Sequence, residues 1–305
     1  MATVVHLRDA KRLWGEFRDQ AMPYIRQFRD KTMVVKVGGS VLHGGTSQKA
    51  FLDDVIFMAQ IGIHVVLVHG GSRHLTDKMR AAGIEPQVRD GERYTDRRTL
   101  AIATSVFNEL NAALVDSIRA LSGQAIGLRA GDSSVIFAKR KGSDPNNYVG
   151  TVTRVDAEPI RALKDGYIPV LTCIGSGDAG EHFNINADEV ASRLACELHA
   201  AKLILLTNVD GVNGSDGRLI STLTAAEAER LMKTGVISSG MIPKVRMCLD
   251  ALRGGVRKAH ILNGSSKGSL LCEVLSDTGV GTEIVARRTE SSNRRVRTRQ
   301  DRANG

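Results

Sequence analysis

A β-branched apolar run passes directly into a glycine turn at Met33-Val34-Val35-Lys36-Val37-Gly38-Gly39-Ser40. The run has the length of a buried strand, and residues with helical periodicity follow it from Ser47 to Gly62. The same order returns downstream, because the apolar run from His64 to Val68 precedes a helical stretch from Leu75 to Gly83. Strand, glycine turn, helix and strand in this order predict a mostly parallel sheet that helices cover on both faces.

The rest of the chain extends this α/β pattern. It adds the strand-like runs Ile168 to Ile174, Leu203 to Thr207 and Ala259 to Leu262, and the helical stretches Asp188 to Ala200 and Pro243 to Arg253. Ligands of such sheets bind at the carboxyl ends of the strands. The segments Gly38-Gly39, Gly70-Gly71 and Asn208 to Val212 each follow a predicted strand, so we expect the binding site there.

The composition is that of an ordinary soluble globular protein, with 42% apolar and 25% charged residues in a chain of 305. No apolar run reaches the roughly 20 residues that span a bilayer, so we expect no membrane partner. Charged residues from Arg8 to Arg12 precede any apolar block, which argues against a signal peptide and favours a cytoplasmic location. The four cysteines show no C-x-x-C spacing, and we expect reduced, mostly buried thiols.

The net charge of +9 is concentrated at the C-terminus. Residues 287–305 hold seven arginines against Glu290 and Asp301, which gives this tail +5 and leaves +4 for the body. Because it has almost no apolar residues, 287–305 is predicted to be a disordered basic tail. A solvated end explains it more simply than a polyanion contact, so we expect no specific nucleic-acid partner.

The first thirty residues form a separate piece. They carry one apolar stripe with helical spacing, made of Leu7, Ala10, Trp14, Phe17, Ala21, Ile25 and Phe28. Pro23 should kink this helix. The stripe either packs on its own domain or docks on a partner chain, and spacing alone leaves both alternatives open.

Two lysines in glycine turns give the first indication of chemistry. Lys36 ends the first predicted strand, and Lys244 closes Ser239-Gly240-Met241-Ile242-Pro243-Lys244. Glycine lets backbone N–H groups approach an anion, and lysine brings a point charge to it. Between them in sequence lies Asp188, a carboxylate that could hold both ammonium groups. Since stabilising a phosphoryl group in transit is chiefly electrostatic, the three residues together indicate a kinase.

The predicted helix starts support this interpretation. Pro243 suits the first position of a helix, so Lys244 would lie at the positive end of the helix dipole, where anions bind. Asn186 suits the N-cap of the next apolar-periodic run, which places Asp188 in its first turn. Each residue alone would be an ordinary helix-start residue, and the combination carries the argument.

Other glycine-rich phosphate sites fit less well. The chain has no G-x-x-x-x-G-K-[ST] motif, so a P-loop is excluded. A G-x-G-x-x-G motif does occur at Gly175 to Gly180, directly after a predicted strand. Dinucleotide binding requires a helix to begin at its third glycine, but 181–186 intervene before the helix that Asn186 caps. The sequence therefore disfavours a dinucleotide site.

Several motifs resemble those of the amino acid kinase family, in order and over nearly the whole globular part. They are Ala21-Met22-Pro23-Tyr24-Ile25, Lys36-Val37-Gly38-Gly39, Val68-His69-Gly70-Gly71, Gly91-Glu92-Arg93-Tyr94-Thr95-Asp96, Phe183 to Asp188, Leu206 to Val212, Gly240 to Lys244 and Gly279-Val280-Gly281-Thr282. The chain is most similar to the family branch that phosphorylates the side-chain carboxylate of N-acetylglutamate in arginine biosynthesis. Its N-terminal helix resembles that of the arginine-sensitive, hexameric members.

The resemblance implies an α/β/α sandwich and a division of the chain. Residues 1–30 would be an oligomerisation helix that makes dimers or hexamers, 31–199 the lobe for the acyl amino acid, and 200–286 the lobe for ATP, ahead of the tail. ATP with Mg²⁺ would be the phosphoryl donor, the magnesium riding on the phosphates with no dedicated metal ligands in the protein.

The resemblance also assigns site residues. Lys36, Asp188 and Lys244 would be catalytic, the lysines neutralising the transferred phosphoryl and the leaving phosphate while Asp188 orients both. The acceptor would contact Gly70, Gly71, Ser72, Arg93 and Asn184, with Arg93 clamping its α-carboxylate. ATP would contact Gly38, Gly39, Asn208, Asp210, Gly211, Val212, Gly240 and Met241.

The chain departs from the family pattern at three places. Ser72 stands where the family has a third glycine. A serine there is tolerable if φ is negative but awkward in a left-handed turn, which would alter the phosphate cradle and the substrate pocket. Asn208 replaces the usual aspartate, and the histidine usual ahead of Leu270-Leu271 is missing. The retained lysines and Asp188 favour an active kinase for N-acetylglutamate or for a relative such as an N-blocked aminoadipate. The Ser72 loop favours a non-catalytic regulatory paralogue.

Overall fold

The structure is a computed structural model that describes residues 7–39, 41–42, 45–89, 91–129, 135–238, 240–277 and 279–288. Side chains are described from Trp14 onward, without residues 16 and 17. The predictions for the tail from 289 to 305, for the side chains of Leu7, Ala10 and Phe17, and for Ser40 and Ser239 therefore lie outside the described residues.

The strands alternate with helices as the sequence predicts. They are β1 (Thr32–Val37), β2 (His64–His69), β3 (Val88–Arg89), β4 (Glu92–Arg93), β5 (Gln124–Leu128), β6 (Ile136–Arg140), β7 (Gly150–Val155), β8 (Tyr167–Leu171), β9 (Ile174–Ser176), β10 (His182–Asn184), β11 (Lys202–Thr207), β12 (Thr222–Thr224), β13 (Lys258–Asn263) and β14 (Thr282–Val285). Within the described ranges, eight of them form the central sheet in the order β12-β14-β13-β11-β1-β2-β8-β5. Neighbours in it are parallel except β13 and β14, so the mostly parallel sheet is confirmed.

Helices cover both faces of this sheet. They are α1 (Leu7–Phe28), α2 (Gly45–Gln60), α3 (Ser72–Ala81), α4 (Arg97–Ala120), α5 (Glu158–Arg161), α6 (Ala187–Glu197), α7 (Ala225–Lys233), α8 (Met241–Arg253) and α9 (Ser269–Leu275). Alternate residues of β1 enter opposite cores, because side chains alternate along a strand. Val34 belongs to the core that α6 and α8 cover, and Val35 to the core beneath α2 and α9. The result is the three-layer α/β/α sandwich.

One predicted strand is wrong in extent. The run Ile168 to Ile174 divides, because β8 ends at Leu171 and β9 begins at Ile174 in a second sheet of order β10-β9-β6-β7. Strand β9 pairs antiparallel with β10, and the Gly177 N–H donates to the Glu181 carbonyl at 2.7 Å. The G-x-G-x-x-G motif therefore forms a β-hairpin, in agreement with the rejection of a dinucleotide site.

The N-terminal helix α1 is divided between its own subunit and the surface. Ala21 and Phe28 are buried in the same core as the α9 residue Leu270, and the Tyr24 hydroxyl donates to Asp277 after α9. Trp14, by contrast, is 70% exposed. The second half of the helix thus packs on its own domain. In the described part of the chain, no helix is both long and apolar enough to cross a bilayer.

Candidate functional site

The carboxyl end of β1 and the first turns of α6 and α8 meet at Asp188. Helix α6 begins at Ala187, and the Asn186 side chain accepts from the Asp188 N–H at 2.8 Å, as expected for the predicted N-cap. Lys36 reaches Asp188 Oδ1 from the carboxyl end of β1 at 2.8 Å. Lys244 reaches Oδ2 from the first turn of α8 at 2.7 Å. One carboxylate therefore holds two ammonium groups, one on each oxygen.

The helix start at Lys244 differs from the prediction. Helix α8 begins at Met241, two residues before Pro243, with Gly240 at its N-cap position. Proline is still compatible with this place, because the first four N–H groups of a helix have no partner within the helix. Lys244 remains in the N-terminal part of the helix, so its relation to the dipole is unchanged.

The electrostatics of this centre are set by burial and by charge pairing. The Asp188 side chain is only 5% exposed, against 11% for Lys36 and 23% for Lys244. Burial raises the pKa of Asp188, but the two ammonium groups outweigh it and hold the pKa at about 2. Asp188 is therefore ionised at physiological pH, and the trio presents a net positive charge to its surroundings.

A cavity of about 340 Å³ opens beside the trio. Its lining residues are Lys36, Gly38, Gly39, Gly70, Gly71, Ser72, Leu75, Gly91, Glu92, Arg93, Phe107, Val149, Cys173, Asn184, Ile185, Asn186, Ala187, Asp188 and Lys244. The structure thus brings together the three residues predicted as catalytic, the five predicted for the acceptor, and the glycines after β1.

The other residues predicted for ATP lie outside this cavity. Asn208 and Asp210 are exposed after β11, where the Asn263 side chain donates to Asp210 at 3.0 Å. Gly211 and Val212 are buried in the same loop. Gly240 and Met241 lie at the start of α8. Gly240 and Met241 adjoin Lys244 along the chain, and none of these six residues lines the cavity.

Arg93 occupies the cavity wall formed by α3. Its guanidinium donates to the Thr76 hydroxyl at 2.7 Å and to the Ser72 carbonyl at 3.0 Å, and one nitrogen lies 3.3 Å from Met79 Sδ. Desolvation lowers its pKa. Among the residues that the structure describes, no carboxylate pairs with Arg93. A fixed guanidinium without an acidic partner is suited to a carboxylate of a ligand.

Asn184 is positioned from the opposite wall. Its amide donates to the hydroxyl of the fully buried Thr95 at 3.1 Å, and its backbone N–H donates to the Tyr148 carbonyl at 2.9 Å. Thr95 in turn donates to the Arg93 carbonyl at 2.8 Å. Arg93 and Asn184 are therefore linked through one buried threonine.

Of the two alternatives for Ser72, the structure shows the tolerable one, with negative φ. Ser72 is the first residue of α3, and the positive-φ non-glycine residues of the described chain are Asp30, Ser122 and His199. Gly71 is the position without space, because a Cβ there would lie 2.7 Å from Phe107 Cε1. Ser72 fits since it enters a right-handed helix, so this departure is no longer an argument for a non-catalytic protein.

The apolar cavity wall was missed in the sequence. Leu75, Phe107, Val149, Cys173 and Ile185 line the site, but their spacing is that of ordinary core residues and carries no separate signal. Cys173 is not reactive, because burial raises its pKa to about 12 and its thiol donates to the His69 carbonyl. Helix α4, which supplies Phe107, could have been found from its Asp96 N-cap.

Fold and site define an α/β/α protein with a cationic cavity at the carboxyl ends of its parallel strands. Residues 31–263 match the amino acid kinase family. The acetylglutamate kinase of Pelobacter propionicus is 39% identical over 278 residues, covering 87% of this chain and 95% of the relative. The acetylglutamate kinase of Syntrophus aciditrophicus is 41% identical over 280 residues, with 87% and 95% covered. The chain belongs to the amino acid kinase family, and that predicted resemblance is confirmed.

A solved structure gives the same fold. The N-acetylglutamate synthase of Neisseria gonorrhoeae, complexed with coenzyme A and N-acetyl-glutamate, superposes with a TM-score of 0.82 at 30% identity. The match covers 90% of this chain and 64% of the synthase chain. The present chain thus spans less than two thirds of the synthase, whose own activity is not carried over to it.

Proposed function

We propose that this protein transfers the γ-phosphoryl group of ATP to the side-chain carboxylate of N-acetyl-L-glutamate, forming an acyl phosphate in arginine biosynthesis. One observation carries the proposal: Asp188 holds Lys36 and Lys244 at 2.8 and 2.7 Å beside a cavity that also contains Arg93. The names of the relatives, about 40% identical over most of the chain, support the same substrate.

The reaction needs electrostatic help more than proton transfer. An oxygen of the acceptor carboxylate forms a bond to the γ-phosphorus while the bond to the β,γ-bridging oxygen breaks, and ADP leaves. The carboxylate is already ionised at neutral pH, so no general base is required. In this proposal Lys36 and Lys244 neutralise the charge that moves onto the phosphoryl oxygens and the leaving phosphate. Asp188 fixes both lysines before the reaction starts.

The cavity orients the acceptor in this proposal. Arg93 binds the α-carboxylate, with Asn184 beside it, and Gly70, Gly71 and Ser72 form the wall against which the acceptor lies. Gly39 and Gly71 supply backbone N–H groups near the transferred phosphoryl in this proposal. The apolar residues Leu75, Phe107 and Ile185 suit the aliphatic and acyl parts of such a ligand.

Mg-ATP is the second substrate in this proposal. Its phosphates approach the trio from Gly38 and Gly39 on one side and from Gly240 and Met241 on the other, and Asn208, Asp210, Gly211 and Val212 contact the nucleotide. The magnesium ion enters with the phosphates as part of the substrate. In this proposal the nucleotide contacts other than Gly38 and Gly39 lie outside the acceptor cavity.

We also propose a cytoplasmic homo-oligomer, a dimer or hexamer built through helix α1. Trp14 at 70% exposure supports a covering partner for the first half of the helix. Because Ala21 and Phe28 are buried in their own subunit, the test is Trp14→Glu rather than removal of residues 1–28. Light scattering should show a smaller assembly for the variant, and an unchanged mass would contradict the proposal.

A coupled ADP-release assay tests the proposed reaction. N-acetylglutamate, N-acetylaspartate and N-acetylaminoadipate are offered at equal concentration with Mg-ATP, and we expect N-acetylglutamate to give the highest kcat/KM. A preference for N-acetylaminoadipate would replace the acceptor while keeping the mechanism. If a protein shown to be folded released no ADP with any of the three acceptors, the result would favour the non-catalytic paralogue and overturn the proposal.

A further inference from the structure

The segment between α9 and β14 contacts the loop that follows β11. We call residues 208–212 the nucleotide loop. We call Val280, Gly281 and Thr282 the pin, and its last residue, Thr282, begins strand β14. The nucleotide loop lies outside the acceptor cavity, and the side chains of Asn208 and Asp210 are exposed. The Asn263 side chain donates to Asp210 at the exposed part of this loop, and other contacts hold its buried end, at Gly211 and Val212.

The Thr282 hydroxyl makes the contact at that buried end. It accepts from the Val212 N–H at 2.8 Å and donates to the Ile220 carbonyl at 2.6 Å. One hydroxyl thus links Val212, near the start of the segment between β11 and β12, to Ile220, near its end. Thr282 and Val212 are buried, so the Val212 N–H has no access to water if the hydroxyl is removed, and the half-buried Ile220 carbonyl loses its donor.

Space at the same contact is filled. A Cβ on Gly211 would lie 2.5 Å from the Thr282 hydroxyl and 3.0 Å from its backbone nitrogen. Distances this short are not tolerated between such atoms, so glycine at 211 lets the loop approach the threonine. The nucleotide loop and Thr282 are therefore in close contact through both hydrogen bonding and packing.

The pin is itself held from the other side by Glu273 of α9. One oxygen of this fully buried carboxylate accepts from the N–H groups of Val280 at 2.7 Å and Gly281 at 2.9 Å. The other oxygen lies 2.6 Å from His260 Nδ1 on β13. Thr282 is thus anchored to the sheet before it contacts the nucleotide loop.

We propose that Thr282 is a positioning residue for the nucleotide, acting through the backbone of Gly211 and Val212 and touching neither substrate. The inference rests on the proposed function insofar as residues 208–212 bind ATP. Loss of the hydroxyl should release the loop and weaken nucleotide binding, while the acceptor cavity, which Thr282 does not line, should be unaffected.

The test compares two buried threonines in neighbouring strands. Thr282→Val removes the hydroxyl at constant shape, and Thr222→Val does the same on β12, where the Thr222 hydroxyl has no hydrogen-bond partner among the described residues. We expect Thr282→Val to raise the Kd of the non-hydrolysable analogue AMP-PNP with Mg²⁺ about tenfold, the size of one or two buried hydrogen bonds. Thr222→Val and Thr282→Ser should stay within about twofold of the wild type.

Calorimetry supplies the Kd, and steady-state kinetics add a second readout. The KM for ATP should rise in Thr282→Val while the KM for the acceptor does not change, a split that general loosening of the fold would not produce. Equal Kd values for Thr282→Val and Thr222→Val would overturn the inference. A parallel rise of both KM values would also overturn it, because it would indicate a purely structural role.

A second variant covers the case in which Thr282→Val does not fold. Gly211→Ala drives a Cβ into the Thr282 hydroxyl from the loop side, where it would also lie 2.7 Å from Leu219 Cδ1 on a backbone with φ of +156°. We expect the same selective loss of AMP-PNP affinity. Wild-type affinity in Gly211→Ala would refute the inference. Because binding of AMP-PNP needs no acceptor, failure of this inference is distinct from failure of the proposed acceptor, which the ADP-release assay measures.

Discussion

The proposed acceptor side and the proposed nucleotide side of this site are built in different ways. The acceptor side is a walled cavity in which Arg93 and Asn184 are fixed through Thr95. The nucleotide side is an exposed loop, 208–212, held at its buried end by backbone contacts to Thr282. Asp188 lies where the two sides meet, since it pairs with Lys36 from β1 and Lys244 from α8. Substitutions should therefore separate into effects on one substrate, on the other, or on the shared centre.

The largest effect on activity should come from Asp188→Asn, because Asp188 holds the lysines of both sides. It leaves two ammonium groups next to each other without their counter-charge, and removing one partner of a buried pair costs about 3–5 kcal/mol. We expect kcat to fall about 10³-fold, with little change in either KM, in steady-state kinetics. Asp250→Asn is the control, because Asp250 pairs with Arg253 on the outer part of α8.

The stability of Asp188→Asn adds a pH test. The folded pKa of Asp188 is depressed to about 2, so its pairing stabilises the fold above the unfolded value of about 3.9 and this contribution is lost as pH falls toward 2. The difference in unfolding free energy between wild type and variant should be constant from pH 5 to pH 8, roughly, and shrink below pH 4. A difference that grows on acidification would contradict the pairing.

Lys244→Ala should rank second and act on the transfer step. Its ammonium interaction strengthens as charge develops, and loss of one such contact costs about 3–4 kcal/mol, or on the order of 10²–10³ in kcat. The KM for the acceptor should change little, because Arg93 and the cavity wall remain. A near-normal kcat would mean that Lys244 is an ordinary helix-start lysine.

Arg93→Ala should affect the acceptor side alone. The α-carboxylate carries the same charge in the ground state and the transition state, so its contact with Arg93 stabilises both equally. Loss of this contact should therefore raise KM more than it lowers kcat. We expect the acceptor KM to rise on the order of 10–100-fold, as for a lost charged hydrogen bond, with the KM for ATP unchanged. If the acceptor KM did not move, Arg93 would be a structural residue of the α3 wall.

The smallest effect should come from Asp54, which touches neither side. Burial raises its pKa to about 6, so protonation is favoured in the fold and stability is lost as pH rises from about 4 through 6. Asp54→Asn should therefore raise the unfolding free energy by about 1–3 kcal/mol at pH 8 and leave kcat unaltered. Asp53→Asn, an exposed neighbour paired with Lys49, is the matched control and should show no such gain.

The sequence predicted the parts of this site that depend on local chemistry. Lys36 at the carboxyl end of a strand, Asn186 as an N-cap and Asp188 in the first turn follow from backbone rules, and all three occupy those places. Ser72 shows where such reasoning ended, because whether a loop residue is left-handed or helical depends on where α3 begins. Phe107 could not be singled out, since buried apolar residues look alike until packing is known. The motif Gly279-Val280-Gly281-Thr282 was noted, but the role of Thr282 depends on contacts that only the fold shows.

Trapping the product with hydroxylamine is the most direct test of carboxylate phosphorylation at the centre formed by Lys36, Asp188 and Lys244. The protein is incubated with Mg-ATP and N-acetylglutamate, and an acyl phosphate on the side chain is converted to a hydroxamate that is counted against ADP. We expect one hydroxamate per ADP for the wild type and for Arg93→Ala at saturating acceptor. In Asp188→Asn the rates of hydroxamate and ADP formation should fall together. ADP released without hydroxamate, or a wild-type rate of hydroxamate formation in Asp188→Asn, would contradict carboxylate phosphorylation at this two-lysine centre.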